Sequence, residues 1–343
     1  MASVFLQSIF HPSEIVALVQ YKFLRPSPSN LIPPEKKACY EFLNQTSRSF
    51  AAVIQELDDE IRDAVCIFYL VLRGLDTIED DMTISITKKE PLLRNFHEII
   101  YKKGWTFNES GPDEKDRQLL VEFSIVIDEF LNLEKNFQDV IADITKKMGN
   151  GMADYAKNAA HNEYGILTNE DYDLYCYYVA GLVGTGLSCL FSASGLEKPE
   201  LGNFIELSNS MGKFLQKTNI IRDYSEDLSE KRIFWPKEIW SEYVNDFADL
   251  KKTGYEIKAI NCLSTIVLNA LQHIPDCLSY MNKLQNDSIL RFCAIPQVEQ
   301  WCQTNLPNID SYNLSTPKDL DNNNNILIFV IFIILAYTAY LLY

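Results

Sequence analysis

Two short acidic runs hold the residues of this 343-residue chain whose types and spacing point most directly to chemistry. Asp76-Thr-Ile-Glu-Asp-Asp and Asp223-Tyr-Ser-Glu-Asp each place two aspartates four residues apart, on one face of a helix. Like charges at that spacing repel, by roughly 0.2–0.5 kcal/mol on an exposed helix and by more where they are partly buried. Upstream of the first run, Ile61, Val65, Phe68 and Leu72 form an apolar face, and Asp76 and Asp80 are its next positions. Before and through the second, Gly212, Gln216, Asn219, Asp223 and Asp227 form a polar stripe beside Met211, Phe214, Leu215, Ile220 and Ile221. A polar stripe on a mostly apolar helix reads as the wall of a pocket. Magnesium relieves the repulsion, since it takes oxygen ligands, keeps waters and is held by one or two carboxylates plus substrate phosphates. Two facing helices of this kind would clamp a metal–diphosphate, whereas either run alone reads equally well as a solvated helix end.

The elements that must position these carboxylates are helical. Apolar positions recur at helical spacing over Cys39 to Leu57, Asp58 to Asp80, Leu119 to Met148, Tyr172 to Ser192, Phe204 to Asp227 and Tyr255 to Leu284. With 13 glycines, 47% hydrophobic residues and few alternating stretches, the chain reads as all-α, without a repeat of 20–50 residues. Its net charge of -16 excludes a nucleic-acid backbone as the main partner. Eight cysteines, at positions 39, 66, 176, 189, 262, 277, 293 and 302, show neither CxxC nor zinc spacing and read as reduced core residues. Lys102 to Gln118 reads as a surface loop. Residues 306–325 read as a polar linker, and Ile326 to Tyr343 as an uncharged, mostly apolar run of about 27 Å when helical. That run is expected to be a transmembrane tail anchor, with a buried terminal helix as the alternative. The expected organisation is a helical body over 1–305, the linker 306–325 and the anchor 326–343. No secretory signal is evident at the N-terminus.

Other groups belong with the acidic runs. In Asn44-Gln-Thr-Ser-Arg-Ser-Phe, Ser47 or Ser49 is placed to cap a helix, whose free N–H groups together with Arg48 would receive phosphate oxygens. Arg73 and Arg222 stand close to the runs, where each pairs with a carboxylate or binds phosphate bidentately. Gly181, Gly184 and Gly186 lie in a helical stretch, where each costs about 1 kcal/mol relative to alanine; close helix packing or an approaching ligand would compensate. The adjacent tyrosines offer an acid/base group that nearby cations would tune.

The strings NQTSRSFAAVI, FYLVLRGLDTIEDDMT, YYVAGLVGTGLS, FLQKTNIIRDYSED, FWP (234–236) and FCAIPQV (292–298) resemble squalene synthases, in that family's order and over most of residues 35–300. The resemblance implies an all-α isoprenoid synthase fold. It further implies head-to-head joining of two farnesyl diphosphates to presqualene diphosphate, reduction by NADPH to squalene, and a body in the cytosol anchored to the endoplasmic reticulum. By position in the motifs, Asp76, Glu79 and Asp80 would hold magnesium on one side, with Asp223 and Asp227 on the other. Tyr175 matches the catalytic tyrosine. Phe50, Tyr69 and Phe292 would line the hydrocarbon and carbocation region, and Gln216 and Asn219 match polar pocket positions. Ser47 and Ser49 fall in the substrate-facing motif, and Arg48, Arg73 and Arg222 match contacts to substrate or NADPH phosphates.

The chain departs from the family after Val298. A further helix and a basic stretch implicated in NADPH use are expected there, but Glu299-Gln-Trp-Cys follows directly and resembles the later pre-anchor region. The body therefore looks internally shortened, which weakens the expected reductive step. The alternatives are a form that stops at presqualene diphosphate, a phytoene-synthase-like prenyltransferase, and an inactive membrane-tethered protein that binds diphosphate.

Overall fold

The computed structural model describes residues 36–47, 50–158, 164–230 and 232–305, with side chains described up to Gln297. Fifteen α-helices follow in chain order. They are α1 (Lys37–Thr46), α2 (Phe50–Gln55), α3 (Asp59–Asp80), α4 (Ile86–Ile99), α5 (Arg117–Val121), α6 (Phe123–Asn132), α7 (Lys135–Lys157) and α8 (Asn169–Cys176), then α9 (Leu182–Ala193), α10 (Ile205–Arg222), α11 (Tyr224–Ser229), α12 (Lys237–Trp240), α13 (Glu256–Leu271), α14 (Ile274–Met281) and α15 (Asp287–Asn305). A π-helical turn over Tyr177–Gly181 joins α8 to α9, and no strand occurs among the described residues. The predicted all-α class holds. The expected anchor, linker and N-terminal segment lie outside the described residues, as do Arg48 and Ser49.

The periodic segments are broken more often than the sequence pattern shows. Cys39 to Leu57 divides at Ser47, whose extended backbone ends α1 and whose Oγ accepts the Ala51 N–H at 3.0 Å, opening α2. Leu119 to Met148 is three helices, and Tyr255 to Leu284 breaks ahead of Pro275, which stands in the first turn of α14. The run ending at Asp227 is interrupted at Asp223, between α10 and α11. By contrast α3 is continuous from Asp59 to Asp80, about 33 Å of helix.

Ile61, Val65, Phe68, Leu72, Leu75 and Ile78 of α3 are all buried. Helix α7 packs against α3, α4 and α9; helix α10 packs against α9, α13, α14 and α15. Two glycines let α10 approach α9 and the π-helical turn before it. A Cβ on Gly184 would stand 2.0 Å from the Ser208 carbonyl oxygen, and one on Gly212 2.0 Å from that of Ala180. Of the two compensations expected for the glycine-rich stretch, close helix packing is the one seen at Gly184. Behind α10, the wholly buried ammonium of Lys217 is held by Asp173 of α8, by Asn269 of α13 at 2.7 Å and over the Tyr172 ring at 5.2 Å. The seven described cysteines are unpaired, as expected. The 25-residue apolar stretch Asn169–Ala193 is long enough to cross a membrane, but it packs within the body and is half buried there.

Candidate active site

Two adjoining cavities open between α3 and α10. The first, of about 220 Å³, is apolar, with Phe50, Tyr69, Leu72, Val183, Leu215 and Phe292 among its walls. The second, of about 280 Å³, is lined by Asp76, Glu79, Asp80, Tyr175, Asp223 and Asp227 together with arginines and a few apolar side chains. Arg73, Asp76, Val179, Gln216 and Asn219 line both, so the hydrocarbon-shaped space leads directly into the acidic one. The structure thus brings together every described carboxylate, aromatic and amide that the sequence singles out, and Arg73 with them, whereas Ser47, whose oxygen is engaged in capping α2, and Arg222 line neither cavity. The Tyr69 hydroxyl donates to the Thr46 carbonyl at 3.1 Å, which ties the cavity wall to the end of α1.

The first acidic run is electrostatically strained. Burial, countered by Arg73 and reinforced by Asp80, pushes the Asp76 carboxyl up to about 7. Burial beside Asp80 and Asp76 pushes Glu79 up to about 8. Burial raises Asp227 to about 6 against the pull of Arg232. The Tyr175 hydroxyl is held protonated, well above its usual range, by burial and by Glu79 and Asp80 beside it. Asp81, the last acid of the first run, belongs to the loop instead. It accepts the Thr83 and Gly111 N–H groups, each at 2.8 Å.

The arginines are engaged with carboxylates. Arg73 does not pair with Asp76, three residues along its own helix, but with Asp116, whose buried side chain accepts Nε at 2.7 Å. Arg222 grips Asp223, Nε to Oδ1 at 2.7 Å and Nη2 to Oδ2 at 2.8 Å. Sequence reasoning missed the group that joins the two runs. Arg232 Nη2 lies 3.0 Å from Asp227 Oδ1, and Nη1 lies 3.6 Å from Asp80 Oδ1. The only signal for it was a cation shortly after the second acidic run.

All the carboxylates here offer oxygen, the donor set of a hard divalent cation, and the raised proton affinity of Asp76, Glu79 and Asp227 marks a place where positive charge is favoured. Among the described residues no three of them stand close enough to form a ready-made metal cluster. Magnesium, if held here, would take few carboxylates and complete its shell with waters and phosphate. Of the three arginines matched to phosphate contacts, Arg73 holds Asp116, Arg222 holds Asp223, and Arg48 lies outside the described residues.

The squalene/phytoene synthase family model matches residues 43–300. The chain belongs to the squalene/phytoene synthase family. A probable squalene synthase of Neurospora crassa is 55% identical over 294 residues, 84% of this chain and 61% of that protein. Schizosaccharomyces pombe squalene synthase is 55% identical over 290 residues, 83% of this chain and 63% of its own. The human squalene synthase is 51% identical over 300 residues, covering 86% and 70%. The chain therefore spans less than two thirds of the first two relatives. A solved complex of TcSQS with the ligand E5700 superposes with a TM-score of 0.77 at 43% identity, covering 86% of this chain and 85% of that one. A dehydrosqualene synthase at 19% identity and TM-score 0.60 shares the fold.

Proposed function

We propose that the chain is a squalene synthase: it joins two farnesyl diphosphates head to head to presqualene diphosphate, which NADPH reduces to squalene. The carrying observation is the direct opening of an apolar cavity into an acidic one through Arg73, Asp76, Val179, Gln216 and Asn219. Such a junction suits an amphiphile with a long hydrocarbon and a charged head. Asp76, Glu79 and Asp80 on α3, with Asp223 and Asp227 opposite, would hold magnesium, which when bound supplies positive charge to a leaving diphosphate.

The first half-reaction follows from the residues. The apolar walls exclude water, so that an allylic cation formed by loss of one diphosphate survives long enough to be attacked by the double bond of the second substrate. Phe50, Tyr69 and Phe292 present aromatic rings to that cation, each worth roughly 0.5–2 kcal/mol. Closing the cyclopropane releases a proton. Tyr175, neutral at its hydroxyl, takes that proton on Oη while passing its own hydrogen to an oxygen of the released diphosphate, so that no tyrosinate need form among the carboxylates. The products balance as presqualene diphosphate, diphosphate and one proton. The nicotinamide nucleotide would supply the hydride of the second half-reaction when bound.

The body over 1–305 is expected to work at the endoplasmic reticulum membrane, facing the cytosol and held by residues 326–343 beyond the linker 306–325. This reading is supported by the length and apolarity of that run. The test is product analysis of the full chain with farnesyl diphosphate and magnesium, with and without NADPH. Squalene only when NADPH is present supports the whole reading. Presqualene diphosphate in both mixtures restricts it to the first half, and no product from folded protein overturns it.

A further inference from the structure

The Phe-Trp-Pro segment at 234–236 has no role in the reaction as drawn so far, yet its three residues do different things. Trp235 is a core plug, buried against Tyr224 and Phe247 with its Nε1 donating to the Ile220 carbonyl at 3.2 Å. Pro236 precedes α12. Phe234 is only half buried and faces the acidic cavity, where its ring lies parallel to that of Tyr175, centroids 5.3 Å apart and planes inclined by 23°. Tyr155 meets Tyr175 edge-on at 5.3 Å, so Phe234 supplies the flat contact. The guanidinium of Arg232 lies over the Phe234 ring, 5.7 Å from its centroid.

The backbone behind Phe234 is strapped down. Ile233 accepts the Ile166 N–H at 3.2 Å, and Lys237 and Glu238 donate to Ile166 and Leu167 at 2.9 Å each. Gly165, at φ +70°, lies so close that a Cβ there would be 2.2 Å from the Ile233 oxygen. With its main chain fixed on one side by this strap and on the other by Trp235, the Phe234 ring is a firm support for Tyr175.

We propose that Phe234 is a positioning residue for Tyr175, and that Arg232 links this stack to the charge in the acidic clamp. Arg232 touches Asp80 of the first run and Asp227 of the second, with Glu230 at 2.8 Å, so a change of charge in the clamp moves the cation that rests on Phe234. Tyr175 is then best oriented when the clamp is filled. The proposal rests on Tyr175 being the proton acceptor of the first half-reaction.

The test uses the full chain labelled with 3-fluorotyrosine, the Tyr175 fluorine resonance being assigned by its loss in Y175F. F234L is expected to move that resonance in the absence of metal. Magnesium with inorganic diphosphate is expected to move it in the unmodified chain and by less than half as much in R232M. In turnover, F234L is expected to lower kcat for presqualene diphosphate about tenfold or more with KM within about twofold, and F234Y, which keeps the flat ring, to restore most of it. An unmoved resonance in F234L overturns the stack. A loss confined to KM, or no rescue by F234Y, overturns the positioning role. Unchanged turnover in Y175F overturns the reading of Tyr175 on which the role depends, and leaves the resonance to report on the stack by itself.

Discussion

The two acidic runs look alike in sequence and are built differently. The first ends an unbroken helix whose other face is core, and Asp76 and Glu79 are held with proton affinities far above those of ordinary carboxylates. The second straddles a break. Asp223 lies between two helices, about one third exposed and gripped by Arg222, while Asp227 faces inward to Arg232. A carboxylate at the end of a rigid buried helix cannot retreat from its neighbours, so its repulsion is stored until a cation arrives. A carboxylate at a helix break with its own arginine has its charge answered locally. In the proposed reaction the first run would therefore supply the demand for metal, and the second an adjustable opposing jaw.

This contrast is broken most readily by removing one acid from each side. Asp76→Ala is expected to reduce kcat on the order of 10³-fold, and Asp223→Ala about tenfold to a hundredfold, in a presqualene diphosphate assay at saturating magnesium. Equal losses would mean that the two jaws are equivalent. The arginines sharpen the same comparison through stability. Arg73→Met leaves the buried Asp116 carboxylate without its guanidinium and is expected to lower unfolding free energy by about 3 kcal/mol in urea titration.

A pH series between 6.5 and 8 reads the first jaw, because Asp227 of the second, raised only to about 6, has given up most of its proton below that window. In the metal-free chain Asp76 and Glu79 hold protons up to about 7 and 8, which the unfolded chain releases near 3.8 and 4.5. Their stabilising effect is complete below the unfolded values and is lost as pH rises through the folded ones. His273, lowered to about 4 by burial and Lys217, acts in the opposite sense, but only below its ordinary 6.5. Between pH 6.5 and 8 the melting temperature of metal-free protein should therefore fall. Magnesium with diphosphate should flatten the fall, and Glu79→Gln should reduce it; a rising curve in that window would contradict the strained first run. The smallest effect is expected at Arg222→Met, whose ion pair is open to solvent on both sides: a stability change within about 0.5 kcal/mol by the same urea titration.

Helical periodicity made the fold class and the span of α3 legible, because a buried stripe repeats along an unbroken helix. The breaks at Ser47 and Asp223 were not legible, since one residue out of helical conformation scarcely changes the phase of the apolar pattern on either side. Within the site, Phe50, Tyr69, Gln216, Asn219 and Phe292 were found by their motifs and do line the cavities. Asp116 was hidden because its significance comes from Arg73, 43 residues away, and it sits at the end of a segment that reads as loop. Arg232 was hidden for the same reason: a bridge between Asp80 and Asp227 is a property of two elements brought together, and neither local charge pattern shows it.

The peptide-to-peptide contacts at Gly184 and Gly212 have a consequence for how such a cavity can change over generations. A single added methyl group meets a carbonyl oxygen of the facing segment, that of Ser208 in α10 or that of Ala180 in the π-helical turn, so the spacing of α10 from that turn and from α9 is closed to one-step variation. The length of the apolar space is bounded by replaceable side chains such as Leu72 and Phe292. Descendants of this chain are thus free to explore longer or shorter hydrocarbons, and hardly at all thicker ones.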